Sequence, residues 1–175
     1  MKKIFLALVV ALVIGCNHDD NVGGIDKLPP ATQTGAETFG CLVDGKAFVH
    51  DDGQMNCYYQ YVDGGYHFAI GGYDNGNDPN FIILGTHDRA ISEGEVIVLK
   101  EKDNLNAWAA VTFSVSSFDS STGYTNSEYS GELTITKLDL ENYIVSGTFW
   151  FDVAHPATGK RIKIREGRFD SHFGL

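Results

Sequence analysis

Basic residues are scarce in this chain. Thirteen Lys and Arg stand against 23 Asp and Glu, a formal charge of −10. Nucleic-acid binding needs a basic footprint, and docking on anionic headgroups needs basic clusters. The balance argues against both. Long apolar runs are lacking too. The run Ile4 to Gly15 holds 12 residues, short of the roughly 20 that span a bilayer. Catalytic signatures are missing: there is no Gly-x-Ser-x-Gly elbow, no phosphate-binding loop and no His-Glu-x-x-His. No segment carries a convincing amphipathic helix. Cysteine is limited to Cys16, Cys41 and Cys57, without zinc-ligand spacing.

What is present begins at the amino terminus. Met1-Lys2-Lys3 is a basic start, and the apolar run behind it ends at Cys16. A short apolar run with this flank reads as a secretory signal peptide over residues 1–15. Leu12-Val13-Ile14-Gly15-Cys16 resembles a bacterial lipobox, which implies cleavage before Cys16 and lipid attachment to it. Several acyl chains give stable anchoring where one does not, so the membrane is a partner through the N-terminal lipid. Asn17-His18-Asp19-Asp20-Asn21 resembles the surface-export tag of Bacteroidota lipoproteins and is equally readable as a solvated linker. Residues 16–37 hold few large apolar side chains and include Pro29-Pro30, so they read as a tether. Cleavage removes Lys2 and Lys3 and no acid, leaving 11 basic and 23 acidic residues and a charge of −12.

Export places Cys41 and Cys57 in an oxidising compartment, where an even pair is expected as a disulfide. Such a loop is worth roughly 3 kcal/mol by the chain-entropy account.

Residues 38–175 have the size of one domain, and their hydrophobic period is two. Leu133 and Ile135 alternate with Thr134 and Thr136. Phe149, Phe151 and Val153 alternate with Trp150 and Asp152, and Val111, Phe113 and Val115 with Thr112, Ser114 and Ser116. Ile162 and Ile164 alternate with Arg161, Lys163 and Arg165. Half-buried antiparallel strands require this pattern, because successive side chains face opposite ways. Asp44-Gly45 separates Phe39–Val43 from Lys46–Val49, and Asp-Gly supplies the positive φ angles of a tight hairpin. Asp63-Gly64-Gly65 and Ala157-Thr158-Gly159 punctuate two further strand pairs. Phe81–Leu84 and Glu95–Leu99 are shorter strand candidates, and Asp103–Ala110 is a candidate single helical turn. The expected fold is therefore all-β, a single antiparallel β-sandwich or barrel of about nine to ten short strands. Sandwich and barrel share one alternation and stay open.

Three segments carry a family resemblance: Leu28-Pro29-Pro30-Ala31-Thr32-Gln33-Thr34-Gly35; Thr38-Phe39-Gly40-Cys41-Leu42-Val43-Asp44-Gly45; and Val145-Ser146-Gly147-Thr148-Phe149 with terminal Gly167-Arg168-Phe169-Asp170. Together they resemble a family of small Bacteroidota lipoproteins classed as a domain of unknown function. The resemblance spans most of the chain after Cys16. It implies an all-β surface or outer-membrane lipoprotein and carries no known activity or catalytic residue. Gly147 reads as a bulge or a close backbone approach.

Chemistry-bearing residues are thinly spread. The six histidines are scattered, and His50 with Asp51 and Asp52 is their densest setting. Asp74-Asn75-Gly76-Asn77-Asp78 offers oxygen ligands suited to a hard cation, but it departs from the EF-hand pattern and also makes an ordinary turn. His50, Asp51, Asp74 and Asp78 are therefore weak metal candidates, and no metal, cofactor or catalytic residue is assigned. With 23 acids in the chain, Glu132 or Asp139 cannot be singled out as a glycosidase carboxylate. Tyr58, Tyr59, Tyr61, Tyr66, Phe68 and Tyr73 crowd one hairpin, where exposed rings would stack on sugars or proteins and buried ones would pack a core. The reading is a lipid-anchored, non-enzymatic binding or structural module for a protein or glycan. The alternatives are a calycin-like barrel holding a small apolar ligand and a hydrolase.

Overall fold

A computed structural model describes residues 24–174, apart from 52, 54, 117 and 118. The signal peptide, Cys16, the acidic cluster after it and Asp52 lie outside the described residues. Among the described residues, eleven strands follow a short 3-10 turn: β1 (Thr38–Val43), β2 (Lys46–Val49), β3 (Asn56–Val62), β4 (Gly65–Tyr73), β5 (Phe81–Thr86), β6 (Val96–Leu99), β7 (Ala107–Ser116), β8 (Asp119–Tyr124), β9 (Gly131–Asp139), β10 (Ile144–Ala154) and β11 (Arg161–His172). They form one sheet in the order β2-β1-β11-β10-β9-β6-β7-β5-β4-β3, with β8 paired to β7. The all-β expectation holds.

The sheet is mixed, which corrects the purely antiparallel expectation. β6 meets β7 in parallel at Leu99 and Ala107, because β6 is drawn to β9 along Val96–Leu99. β8 was not read from the sequence: Asp-Ser-Ser-Thr-Gly-Tyr has no apolar alternation, and its pairing with β7 makes it a strand. The helical turn expected near Asp103 is a tight turn at Asn104-Leu105, with Leu105 at φ 65°. The hairpin turns follow the sequence. Asp44 and Gly45 have φ of 47° and 86°, and Asp63 and Gly64 have 52° and 92°, the double positive φ that a two-residue hairpin with right-handed strand twist requires.

The sheet curls into a half-barrel. The edge strand β3 reaches the chain just beyond β11: Tyr59 N donates to Gly174 O, and Gly174 N donates to Cys57 O, each at 3.0 Å. The concave face is a phenylalanine-rich core. Phe149 lies 5.3 Å from Phe39, 6.1 Å from Phe151 and 6.4 Å from Phe169, centroid to centroid. Phe68 joins Phe169 at 6.2 Å. Gly147 fulfils both halves of its reading. The β9 register shifts between Ser146 and Gly147, and a Cβ there would stand 2.5 Å from Thr134 O and 2.6 Å from Phe169 Cζ.

Cys41 and Cys57 are free thiols, which corrects the expected disulfide. Cys41 sits at the β1 bulge opposite the Arg165–Arg168 stretch of β11, beside Asp74. The Cys57 thiol instead meets Ser171. Arg168 and Ser171 are three steps apart along β11, about 10 Å at the strand rise, whereas disulfide Cβ atoms stand about 4 Å apart. Burial pushes both thiols up, Cys57 to about 12.

Residues 28–37 correct the last part of the expected flexible tether. They form a strap pinned to the sheet by one buried carboxylate. Asp170 accepts bonds from Thr32 Oγ1 at 2.6 Å, Thr34 N at 2.9 Å, Gly35 N at 2.9 Å, Ala36 N at 3.2 Å and Ser146 Oγ at 2.8 Å. Burial alone would raise its pKa, but the bonds from Thr32, Thr34, Ser146 and Gly35 outweigh it and hold the carboxyl well below the usual range. Glu37 closes the strap by accepting from Ser171 Oγ at 2.8 Å and His172 N at 2.9 Å.

Candidate functional site

Strand alternation that sends Phe149 and Phe151 inward sends Trp150 outward. Trp150 is 40% exposed on the convex face of β10, where its indole presents apolar surface and one N–H to the outside. Cross-strand register sets its surroundings. Trp150 stands opposite Glu132 of β9, and Thr148 opposite Thr134. On the other side Thr148 faces Arg168 of β11, whose register shifts past Trp150. Glu132 in turn faces Val98 of β6, and Thr134 faces Val96, two exposed valines that extend the apolar ground beyond the indole.

These rows line a groove of about 450 Å³ bounded by Ala31 of the strap, Glu132, Thr134, Thr148, Trp150 and the Arg165–Arg168 stretch of β11. Trp150 Nε1 donates to Glu132 Oε2 at 3.1 Å, which fixes the ring plane. The Arg165 guanidinium lies 5.4 Å from the indole centroid and is held by Asp152 Oδ1 at 2.7 Å and by the carbonyls of Phe151 and Ile164 at 3.0 and 2.7 Å. Arg168 Nη2 reaches Glu166 Oε2 at 3.5 Å. Glu166 adopts φ 55° at the bulge where β11 slips register past Trp150. An indole platform ringed by hydroxyls, carboxylates and guanidinium groups offers apolar contact and paired hydrogen bonding within one slot.

The residues that the sequence singled out behave differently. His50, Asp51, Asp74 and Asp78 gather around the β2 and β4 ends, but backbone and amide donors occupy their acceptors. Asp74 accepts from Val49 N at 3.2 Å, Gly76 N at 3.1 Å and Asn77 Nδ2 at 2.7 Å. Asp51 accepts from Asn75 N at 3.1 Å, and Asp78 from Ser114 N at 3.0 Å. His50 Nδ1 accepts from Tyr73 N at 3.1 Å. Their arrangement is that of loop staples. The tyrosine hairpin divides: Tyr59 and Phe68 are buried, while Tyr61, Tyr66 and Tyr73 are exposed. Tyr66 stacks on Tyr59 at 5.2 Å and meets Tyr61 edge-on at 5.0 Å, so much of this aromatic surface is spent on itself. Glu132 lines the groove, whereas Asp139 caps its own turn by accepting from Glu141 N and Asn142 N. Trp150, Arg165 and Arg168 were not chosen as site residues from the sequence. The available signal was a tryptophan in the polar phase of a strand.

Comparison with family models, with curated proteins and with solved structures gives no match for this chain.

Proposed function

We propose that this protein is a lipid-anchored module of the outer membrane or cell surface that binds a glycan in the Trp150 groove without transforming it. The observation that carries the reading is the exposed indole of Trp150, locked by Glu132 at 3.1 Å in a groove also lined by Thr134, Thr148, Arg165 and Arg168. The C–H face of a pyranose packs on an indole, and its hydroxyls pair with carboxylates and guanidinium groups. The lipid anchor rests on the Cys16 motif and the small-lipoprotein resemblance.

We read the curl as a barrel rather than a sandwich, since the two bonds at Gly174 tie β3 to the end of β11. Within that barrel, phenylalanines occupy the space that a small apolar ligand would need, which favours the outer groove over a lumen. A hydrolase is the second reading, because Glu132 and Glu166 line the same groove and glycosidases use carboxylate pairs.

A glycan array followed by calorimetric titration tests the proposal, with Trp150→Ala as the groove variant and Tyr61→Ala as the control. Saturable binding lost only in Trp150→Ala supports it. Equal binding by both variants and the wild type overturns it. Recovery of the bound glycan intact separates a binding module from a hydrolase, which would release shortened chains.

A further inference from the structure

Away from the groove, two of the scattered histidines meet one carboxylate. His67 lies on β4 and His87 directly follows β5. Phe68 pairs with Thr86 in that ladder, so the next step outward brings the two rings side by side, 4.9 Å between centroids. Phe68 points into the core, and alternation therefore turns His67 to the outer surface. Asp88 then reverses the chain with φ 52° and brings its carboxylate between the rings. Oδ1 lies 3.3 Å from His67 Nε2, and Oδ2 lies 3.5 Å from His87 Nδ1.

We propose that His67, His87 and Asp88 form a binding site for a divalent transition-metal ion of the zinc class. One donor atom from each of the three residues falls within 4.8 Å of the other two. Zinc holds nitrogen and oxygen ligands at about 2.0–2.2 Å in a tetrahedron, which sets neighbouring ligands roughly 3.3–3.5 Å apart. Each nitrogen already stands at that length from one carboxylate oxygen, His67 Nε2 from Oδ1 and His87 Nδ1 from Oδ2, so an ion is admitted when the two rings and one of these oxygens converge on a shared centre. Two imidazoles with one carboxylate select zinc, nickel, copper or cobalt over calcium and magnesium, which take oxygen. Three protein ligands leave a fourth position for water or a partner's donor group, and the His87 side chain is about half exposed.

The backbone prepares the geometry. His87 N donates to Asn106 O at 3.1 Å, and Leu105 N donates to His87 O at 2.8 Å, so the residue is clamped from both ends. Arg89 N donates to Tyr66 O at 2.8 Å and fixes the exit from the Asp88 turn. Gly65 provides the floor: a Cβ there would stand 2.3 Å from Asp88 Oδ1 and 3.0 Å from its Cα. The glycine that follows the Asp63-Gly64 hairpin thus leaves room for the carboxylate between the histidines.

The test uses the untagged full chain in detergent, stripped with EDTA and titrated with Zn²⁺ by calorimetry and with Co²⁺ by visible absorption. One zinc per chain is expected, together with the intense bands of four-coordinate cobalt. His87→Ala should lose both signals, and Gly65→Ala should weaken them by displacing Asp88 while every ligand is kept. His155→Ala, on a different turn, should keep them. Circular dichroism establishes that each variant is folded. Absence of a stoichiometric metal in the wild type, or its retention in folded His87→Ala, overturns the proposal.

Discussion

Replacing Asp170 with Asn keeps the size of the side chain and removes the charge that holds the strap. The carboxylate receives three backbone N–H groups, from Thr34, Gly35 and Ala36, and three hydroxyls, from Thr32, Thr34 and Ser146. A hydrogen bond to a charged group is worth about 1.5–3 kcal/mol on its own. Six bonds to one carboxylate share its charge, so they do not sum. Breaking a buried charged network by one partner costs about 3–5 kcal/mol. The amide retains one acceptor oxygen and turns an NH₂ toward groups that are themselves donors, which places Asp170→Asn near 3 kcal/mol. For a domain of this size that is about 10 °C in Tm.

The pH dependence supplies an independent check. A carboxyl whose folded pKa is depressed contributes stability that is complete above its unfolded pKa and is lost as pH falls toward the folded one. The Asp170 pKa is lowered in the folded chain, and the unfolded value is about 3.9. The gap between wild type and Asp170→Asn should therefore be full at pH 7 and narrower by roughly 1 kcal/mol at pH 3. Thermal melts across this range measure it, and hydrogen exchange at the amides of residues 34–36 reports strap release directly. A Tm unchanged within about 2 °C, or a gap that stays constant from pH 7 to pH 3, would refute the reasoning.

Further outcomes follow from other parts of the molecule. Cys41 and Cys57 should both label in denaturant without reductant and stay largely protected in the native protein; a gain of two mass units on reduction would restore the disulfide. Phe149→Ala removes a ring packed among Phe39, Phe151 and Phe169 and should cost about 3–5 kcal/mol, read from urea denaturation. Cys16→Ser should abolish incorporation of radiolabelled palmitate and release the chain from the membrane fraction, whereas continued labelling would locate the lipid elsewhere. A groove centred on Trp150 predicts that Trp150→Ala weakens glycan binding by about 2 kcal/mol, close to thirtyfold, in the calorimetric titration.

The fold was legible where local chemistry decides it. Asp44-Gly45 and Asp63-Gly64 announce their turns, and alternation in Leu133–Thr136 and Phe149–Val153 names the inward residues. The same alternation places Trp150 outward, but its neighbours come from β9 and β11, and the registers that bring Glu132 and Arg165 to it cannot be read from one strand. His67 and His87 are 20 residues apart, and their meeting depends on the β4–β5 register and the positive φ of Asp88. β8 carries no periodic signal because pairing with β7 makes it. The free thiols went unread for a related reason. Compartment and even number favour a disulfide, while the β1 bulge and the end of β11 set Cys41 and Cys57 at different heights. The strap segment and Gly167–Asp170 stood out through resemblance alone. Their physical link is that the Asp170 carboxylate is wrapped by Thr32–Ala36.

Tryptophan emission offers the most direct test of the groove. The chain has two tryptophans; Trp108 is 8% exposed and Trp150 is 40% exposed. In a Trp108→Phe variant the Trp150 indole is the sole reporter. Titration with a glycan found on the array should shift its emission to shorter wavelength, saturating at the dissociation constant that calorimetry gives for the wild type. Glycan binding that leaves Trp150 emission unchanged would contradict the account and move the site to another face.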